Sequence, residues 1–164
     1  MPIPQTEDST LFDWQPDWSV GIPVLDEDHK GFLTLSRLLF EAEREADNSM
    51  VVESAILLLQ EYIGGHFLRE ETALRAAGFS QFDSHLARHV QFRNDAEAII
   101  DRFHRGDDTA APYLARLTAE WLVKHILHED MQYKGVIRDE HVDNRPLGCL
   151  VAVDDQIDDD VMDL

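Results

Sequence analysis

Apolar residues recur at helical spacing along most of the chain. In the first such segment, Phe32, Leu35 and Leu39 fall close to positions i, i+3 and i+7 of one helix face. Glycines and capping residues separate this segment from three more of the same kind. The pattern predicts four helices, over about residues 26–46, 47–77, 80–106 and 107–133. No segment alternates between polar and apolar residues over a useful length, so we predict no β-sheet.

The lengths of these segments and their short connections predict an all-α fold. Helices of about 20 to 28 residues favour an antiparallel up-down-up-down four-helix bundle. The first 20 or so residues are rich in proline and aromatic residues, and we expect an extended N-terminal arm packed on the bundle. We assign residues 1–134 to this domain. Residues 135–164 are strongly acidic and lose the helical pattern, which predicts an appended, partly mobile C-terminal extension.

The charge of the chain narrows the classes of partner. A net charge of −19 would repel nucleic acid and anionic membrane surfaces. We find neither a signal peptide nor an apolar run of about 18 residues, which indicates a cytoplasmic protein without membrane insertion. Cys149 is the single cysteine, so a metal site in this chain would have to use imidazole and carboxylate groups.

Two histidine-containing pairs have the spacing of side chains that share one helix face. In HFLRE, His66 and Glu70 stand at i and i+4, and in HLARH the same spacing separates His85 from His89. One such pair alone is more often a solvated face than a metal site. Two pairs, together with a histidine on each of the other two predicted helices, argue against coincidence.

The remaining two predicted helices carry His29 and His125. His125 is flanked by Leu122 and Ile126, so its ring lies on an apolar stripe. An imidazole in a bundle core is costly unless its nitrogens are paired. Metal ligation would satisfy several such rings at once.

The stretch HILHED, residues 125–130, offers two carboxylates near His125. Spacing alone favours Glu129, because i and i+4 share a face. Asp130, at i+5, lies about 140° around a regular helix from His125.

These motifs together resemble the hemerythrin family, in particular its bacterial members, the bacteriohemerythrins. The matching stretches are VGIPVLDEDHKGF, HFLREE, HLARHVQF and WLVKHILHED, and the resemblance covers roughly residues 14–133. It implies a non-heme centre of two iron ions, with a bridging oxo or hydroxo group, in the core of the bundle. Ligand type alone would also allow zinc or manganese.

The resemblance also implies which side chains hold the metal: His29, His66, Glu70, His85, His89, His125 and Asp130. The histidines of the third and fourth helices would hold one iron, and those of the first and second helices the other. The two carboxylates would bridge the ions, leaving one open position on the iron with two histidines. Because this choice makes Asp130 the bridge, the helix should widen towards i→i+5 bonding there, or the side chain must swing back.

The function implied is reversible binding of dioxygen for intracellular transport, storage or delivery in a bacterium, without enzymatic turnover. An apolar pocket is implied around the open position, lined by Phe32, Phe67, Trp121, Leu122 and Ile126. Ordinary core packing explains the same five residues equally well. The alternatives are an oxygen or redox sensor acting through a protein partner, and a di-iron enzyme that handles peroxide or nitric oxide. A monomer is expected, and a protein partner for the acidic extension stays open.

Gly64 and Gly65 stand directly before His66 in the predicted second helix. Each costs about 1 kcal/mol relative to alanine in a helix interior. Two explanations remain open: a close helix contact or local bend beside the ligand, and simple packing.

Overall fold

The computed structural model describes residues 9–42 and 49–154, and within them the fold is all-helical. The helices are α1 (Pro23–Ala42), α2 (Ser49–Ala76), α3 (Phe82–His104), α4 (Ala110–His128) and α5 (Leu147–Asp154). Four 3-10 helices accompany them, at Ser9–Phe12, Pro16–Trp18, Asp130–Gln132 and Asp139–His141. The described residues form no strand, only an isolated bridge between Lys134 and Ile137. The all-α prediction is therefore confirmed.

The four long helices surround a common core. Helix α1 packs against α2 and α4, and α3 packs against the same two helices. Between them lie apolar side chains at most 2% exposed, among them Phe32, Leu39, Leu59, Phe92 and Leu114. Within the described ranges, no helix is both long enough and apolar enough to cross a membrane.

Glycine ends two of the long helices. Gly78, after α2, and Gly106, after α3, have φ of +64° and +88°, a region in which a side chain would be strained. After α2, the Gly78 N–H donates to the carbonyl of Arg75, and the next N–H, of Phe79, reaches back to Leu74. These paired bonds satisfy carbonyls that the helix end leaves free and turn the chain towards α3.

The end of α4 differs from the sequence prediction. The α-helix stops at His128, short of the predicted residue 133, and a 3-10 helix begins at Asp130. The N–H of Gln132 bonds to the carbonyl of Glu129, and that of Tyr133 to Asp130. The chain tightens here, so the first of the two predicted alternatives, a widening towards i→i+5 bonding, does not occur.

The described part of the N-terminal arm, residues 9–22, contains two 3-10 helices and is not extended throughout. The first of these packs against α1 and α4, and Phe12 and Val20 are buried. Asp26 fastens the arm to α1, accepting hydrogen bonds from Ser19 Oγ at 2.6 Å and from the Val20 N–H at 2.9 Å. The arm thus runs along α1, from Phe40 near the end of that helix to Asp26 in its first turn.

The described part of the C-terminal extension also packs on the bundle. Helix α5 lies against α2, and Leu150 is 5% exposed. The predicted mobility of the final residues, 155–164, falls on residues outside the described ranges, as do the first eight residues of the arm and the predicted helix over 43–46.

Helices α1 and α2 contact each other closely where Gly31 faces Tyr62. A Cβ added at Gly31 would lie 2.6 Å from Tyr62 Oη and 2.7 Å from its Cζ. Tyr62 in turn packs edge-on against Phe32, with ring centroids 5.7 Å apart. Gly31 stands two residues from His29, and Tyr62 stands one helical turn from His66, so the contact helps to set the separation of the two helices at the candidate site.

We predict that Gly31→Ala is less stable than Gly64→Ala by about 1 kcal/mol or more, because overpacking must displace the Tyr62 ring. Both glycines lie inside helices, but a Cβ at Gly64 would meet nothing within 4 Å. Gly64→Ala should therefore gain up to about 1 kcal/mol from helix propensity alone. Urea unfolding of the metal-free proteins measures both changes. Equal stabilisation by the two substitutions would contradict the close contact.

Candidate metal centre

Side chains from every long helix converge in the core of the bundle. Helix α1 contributes His29, α2 contributes a histidine and a glutamate one turn apart, α3 two histidines at the same spacing, and α4 His125. The seventh group, Asp130, comes from the 3-10 helix after α4. All seven are at most 4% exposed. The structure thus brings together every side chain that the sequence analysis named as a metal ligand.

Three histidines and one glutamate form the first ligand set. One ligand atom each from Glu70, His85, His89 and His125 lies within 4.8 Å of all the others. The Nε2 atoms of His89 and His125 are 3.0 Å apart, and those of His125 and His85 are 3.3 Å apart. Three ring nitrogens therefore point at one spot.

Two histidines form a second ligand set beside the first. His29, His66 and Glu70 also have ligand atoms within 4.8 Å of one another. The two imidazole rings meet edge to face, with centroids 4.8 Å apart. This set has one histidine fewer than the first, and Glu70 belongs to both.

Each carboxylate divides its two oxygens between the sets. Glu70 Oε2 lies 3.0 Å from His85 Nε2, whereas Oε1 is the oxygen nearer His66, at 4.0 Å from its Nε2. Asp130 Oδ1 lies 3.1 Å from His125 Nε2, and Oδ2 lies 3.4 Å from His29 Nε2. This division is the geometry expected of two carboxylates bridging adjacent cations.

The electrostatics of the buried groups fit cations better than protons. Neither ring nitrogen of His29 and neither oxygen of Asp130 has a hydrogen-bond partner, although all four atoms are buried. Burial and the neighbouring His66 hold the pKa of His29 well below its usual value. Burial and the charge of Glu70 raise the pKa of Asp130 well above its usual range. Unpaired buried polar atoms are costly, and two divalent cations would relieve both the orphaned atoms and the like-charge contact.

The donor atoms restrict which metals suit the site. Imidazole nitrogen with carboxylate oxygen suits iron, zinc or manganese, and the described ligands include no thiolate. The residues present therefore fit the pair of ions that the sequence analysis expected.

Asp130 reaches the centre by a route that helical spacing does not suggest. Because α4 ends at His128, the backbone at Glu129 leaves the regular helix, with φ −106° and ψ −55°, and Asp130 begins the 3-10 helix. Asp130 is fully buried between the two ligand sets, whereas Glu129 lies 3.8 Å from Arg88 at the surface. The change of helix type, and not a bulge, places Asp130 inwards.

Three polar residues that the sequence analysis did not single out form hydrogen bonds to the ligand side chains. Asp28 Oδ2 lies 3.1 Å from His66 Nδ1, and Glu71 Oε1 lies 2.9 Å from His89 Nδ1. The hydroxyl of Tyr133 donates to Glu70 Oε1. A carboxylate on Nδ1 fixes the ring tautomer and leaves Nε2 free to bind metal.

The pKa of each carboxylate-bound histidine follows from these contacts. Burial lowers the pKa of His66 and of His89, but hydrogen bonds to Asp28 and to Glu70 and Glu71 outweigh it, so both pKa values are raised. Burial together with the neighbouring His89 lowers the pKa of His125 to about 2. Asp28 and Glu71 are each adjacent in sequence to a predicted ligand, and this was the only signal in the sequence that could have indicated their role. Each pairs with a histidine on another helix, which depends on how the helices pack.

Four of the five predicted pocket residues lie within the core, and Trp121 is half-buried. Phe32 meets His66 edge-on, with centroids 5.3 Å apart. Phe67 stacks on His89 at 3.8 Å, and Trp121 stacks on His125 at 4.4 Å. Phe32 therefore borders the two-histidine set, while the stacked rings of Phe67 and Trp121 border the three-histidine set. Leu122 and Ile126 are buried one turn apart on α4.

The three histidines left unassigned by the sequence analysis lie away from the centre. His104 pairs with Glu53 at 3.2 Å, His128 Nδ1 faces the carbonyl of Lys124, and His141 accepts from the N–H of Arg138. None of them is buried.

Comparison with known proteins agrees with the geometry. Residues 20–137 match the family model described as the hemerythrin HHE cation binding domain. A bacteriohemerythrin of Pseudomonas paraeruginosa is 31% identical over 125 residues, covering 76% of this chain and 80% of that protein. A hemerythrin-like protein of Naegleria gruberi is 32% identical over 126 residues, covering 77% and 93% of the two chains.

A more distant relative extends the same match. A bacteriohemerythrin of Clostridium acetobutylicum is 24% identical over 127 residues, covering 75% of this chain and 98% of its own length. The family match spans every element that contributes a ligand side chain to the centre. The chain therefore belongs to the hemerythrin family.

Proposed function

We propose that this protein binds dioxygen reversibly at a non-heme di-iron centre, for intracellular oxygen transport, storage or delivery. The observation that carries the proposal is the pair of adjoining buried ligand sets that share Glu70 and differ by one histidine. Two ferrous ions, when bound, supply the electrons on which reversible uptake of dioxygen depends. The protein supplies the asymmetry, the shielding and the ligand orientation.

The difference of one histidine supports an open coordination position. If a bridging oxo or hydroxo group were bound and both carboxylates were shared, the three-histidine set would supply enough ligands to fill the coordination of its iron. The two-histidine set would leave one position open beside His29 and His66. A small neutral molecule could then enter there without displacing a protein ligand.

The surroundings of the two-histidine set favour an apolar guest. The Trp14 ring lies 6.4 Å from that of His29, and Phe32 lies against His66. Such a lining keeps water and anions away from the metal and slows oxidation of the centre.

Reversible binding without enzymatic turnover is supported by the hydrogen bonds of the polar groups nearest the centre. Asp28, Glu71 and Tyr133 each form a hydrogen bond to a ligand side chain. These groups orient ligands and are not free to act as acids or bases on a guest. We therefore propose that the protein is not an enzyme.

The wider setting is part of the same proposal. The contacts of each long helix with the next, and of α1 with α4, support the up-down-up-down order of the bundle. A cytoplasmic location, a monomeric state and a protein partner for the acidic extension stay predictions.

Anaerobic loading with Fe(II) tests the proposal directly. We expect about two iron ions per chain, filling the two ligand sets, and a visible charge-transfer band that forms with oxygen and disappears when oxygen is removed. Metal analysis and absorption spectroscopy over repeated cycles measure both. Binding of about one ion, or of zinc in preference to iron, would contradict the di-iron centre. Rapid irreversible oxidation would contradict carriage and favour sensing or catalysis.

His66→Ala should abolish reversible oxygen binding and leave about one tightly bound ion, because it removes one of the two histidines on the open side. His104→Ala is the matched control, since its ring is half-exposed and pairs with Glu53, away from the centre. It should bind metal and oxygen like the unsubstituted protein. Full oxygen binding by His66→Ala would contradict the assignment of the open position.

A further inference from the structure

A buried ion pair lies directly behind His66. Asp28 on α1 and Arg69 on α2 are 5% and 3% exposed, and Arg69 Nη1 lies 2.7 Å from each carboxylate oxygen of Asp28. The same carboxylate accepts from His66 Nδ1. Arg69 thus balances the charge of Asp28 and holds it against the imidazole.

The other side of Arg69 is bound by the chain that follows the bundle. Arg69 Nη2 donates to the backbone carbonyl of Arg145. That carbonyl belongs to residues 143–150, which we call the C-terminal segment. The Arg145 guanidinium lies 2.6 Å from Asp143 Oδ2, and the backbone N–H of Arg145 donates to Asp143 Oδ1 at 3.0 Å. Pro146 further restricts the backbone of Arg145. The acceptor is therefore presented by a stiff turn.

The C-terminal segment is seated on α2 through Gly65. A Cβ at Gly65 would lie 3.1 Å from Leu147 Cβ and 3.3 Å from the Leu147 carbonyl oxygen. A Cβ at the neighbouring Gly64 would meet nothing within 4 Å. Of the explanations that the sequence left open, close contact applies to Gly65, and the contact is with the C-terminal segment. It occurs at the residue next to His66.

An open pocket of about 420 Å³ adjoins the ion pair. Asp28 and Arg69 line it together with residues 144–148 of the C-terminal segment. The segment thus packs beside the ion pair, whose two side chains stay almost fully buried. If the segment left, Arg69 would lose a hydrogen-bond acceptor, and solvent access to the group that orients His66 would increase.

We propose that the C-terminal segment is a clamp that positions His66 for metal binding, acting from the Arg145 carbonyl through Arg69 and Asp28. The clamp rests on the proposed function only in taking His66 as a metal ligand. It acts on the two-histidine set alone, because His89 in the other set has its own carboxylate, Glu71. Arg69 and Asp28 are positioning residues, and the clamp gives the C-terminal extension a role in the centre.

Substitution at the two adjacent glycines tests the clamp. Gly65→Val should push Leu147 off α2 and raise hydrogen exchange at residues 145–150. It should also lower the Co(II) affinity of the weaker position, which we assign to the two-histidine set, by about 10-fold or more. Gly64→Val is the matched control, because it makes the same change in the same helix where space is free. Titration of the full-length, metal-free proteins with Co(II), followed by visible absorption, resolves the two positions. The stronger position should be unchanged in both variants.

A double-mutant cycle separates the clamp from a direct effect of valine on the adjacent His66. Arg69→Lys keeps a charge for Asp28 but shortens the reach to the Arg145 carbonyl and removes the forked donor. In that background Gly65→Val should cause little further loss of Co(II) affinity, so the two effects should be strongly non-additive. Additive losses would show that valine acts on His66 directly and would overturn the clamp.

The remaining possible results of these experiments also test the clamp. Faster exchange in Gly65→Val with unchanged Co(II) affinity would overturn the clamp, since the segment would have moved without consequence. Unchanged exchange would overturn it as well, because the segment would not depend on the Gly65 contact. If the unsubstituted protein binds fewer than two Co(II) ions, the di-iron proposal itself fails, which is a separate result.

Discussion

The structure depends on one electrostatic constraint: two carboxylates and five imidazoles are buried together in the core of a small helical protein. Such a cluster is costly when its polar atoms lack partners, and His29 and Asp130 lack hydrogen-bond partners here. Two bridged cations would resolve the conflict, because each carboxylate already directs one oxygen to each ligand set. The apolar packing of the four long helices around this cluster keeps water out and makes the electrostatic demand strong.

Polar groups next to the ligands form hydrogen bonds that orient the ligand side chains. Glu71 holds His89, and Asp28 holds His66, but the two carboxylates are supported differently. Glu71 is partly exposed, whereas Asp28 is buried and needs the charge of Arg69. The side of the centre with fewer histidines is therefore also the side that depends on a longer chain of contacts, extending to the segment after the bundle.

Much of the centre could be predicted because it is built from local spacing. The pairs His66 with Glu70 and His85 with His89 are i, i+4 pairs, and a helix places such side chains on one face whatever surrounds it. The apolar period of the helices likewise follows from local pattern. Asp130 shows the limit of this reasoning. Spacing alone favoured Glu129, and the choice of Asp130 came from family resemblance, because helical geometry could not foresee that α4 ends at His128.

The sequence by itself thus determined the helices, their inward faces and the two i, i+4 pairs of candidate ligands, since each depends on residues within a turn or two of one another. Only the tertiary structure decided how the end of α4 turns Asp130, and not Glu129, towards both ligand sets. It also decided which carboxylate backs which histidine, and that Gly65 receives Leu147 while Gly64 stays open. These features join residues far apart in the chain. Their geometry depends on how the helices pack and where they end, which no local pattern encodes.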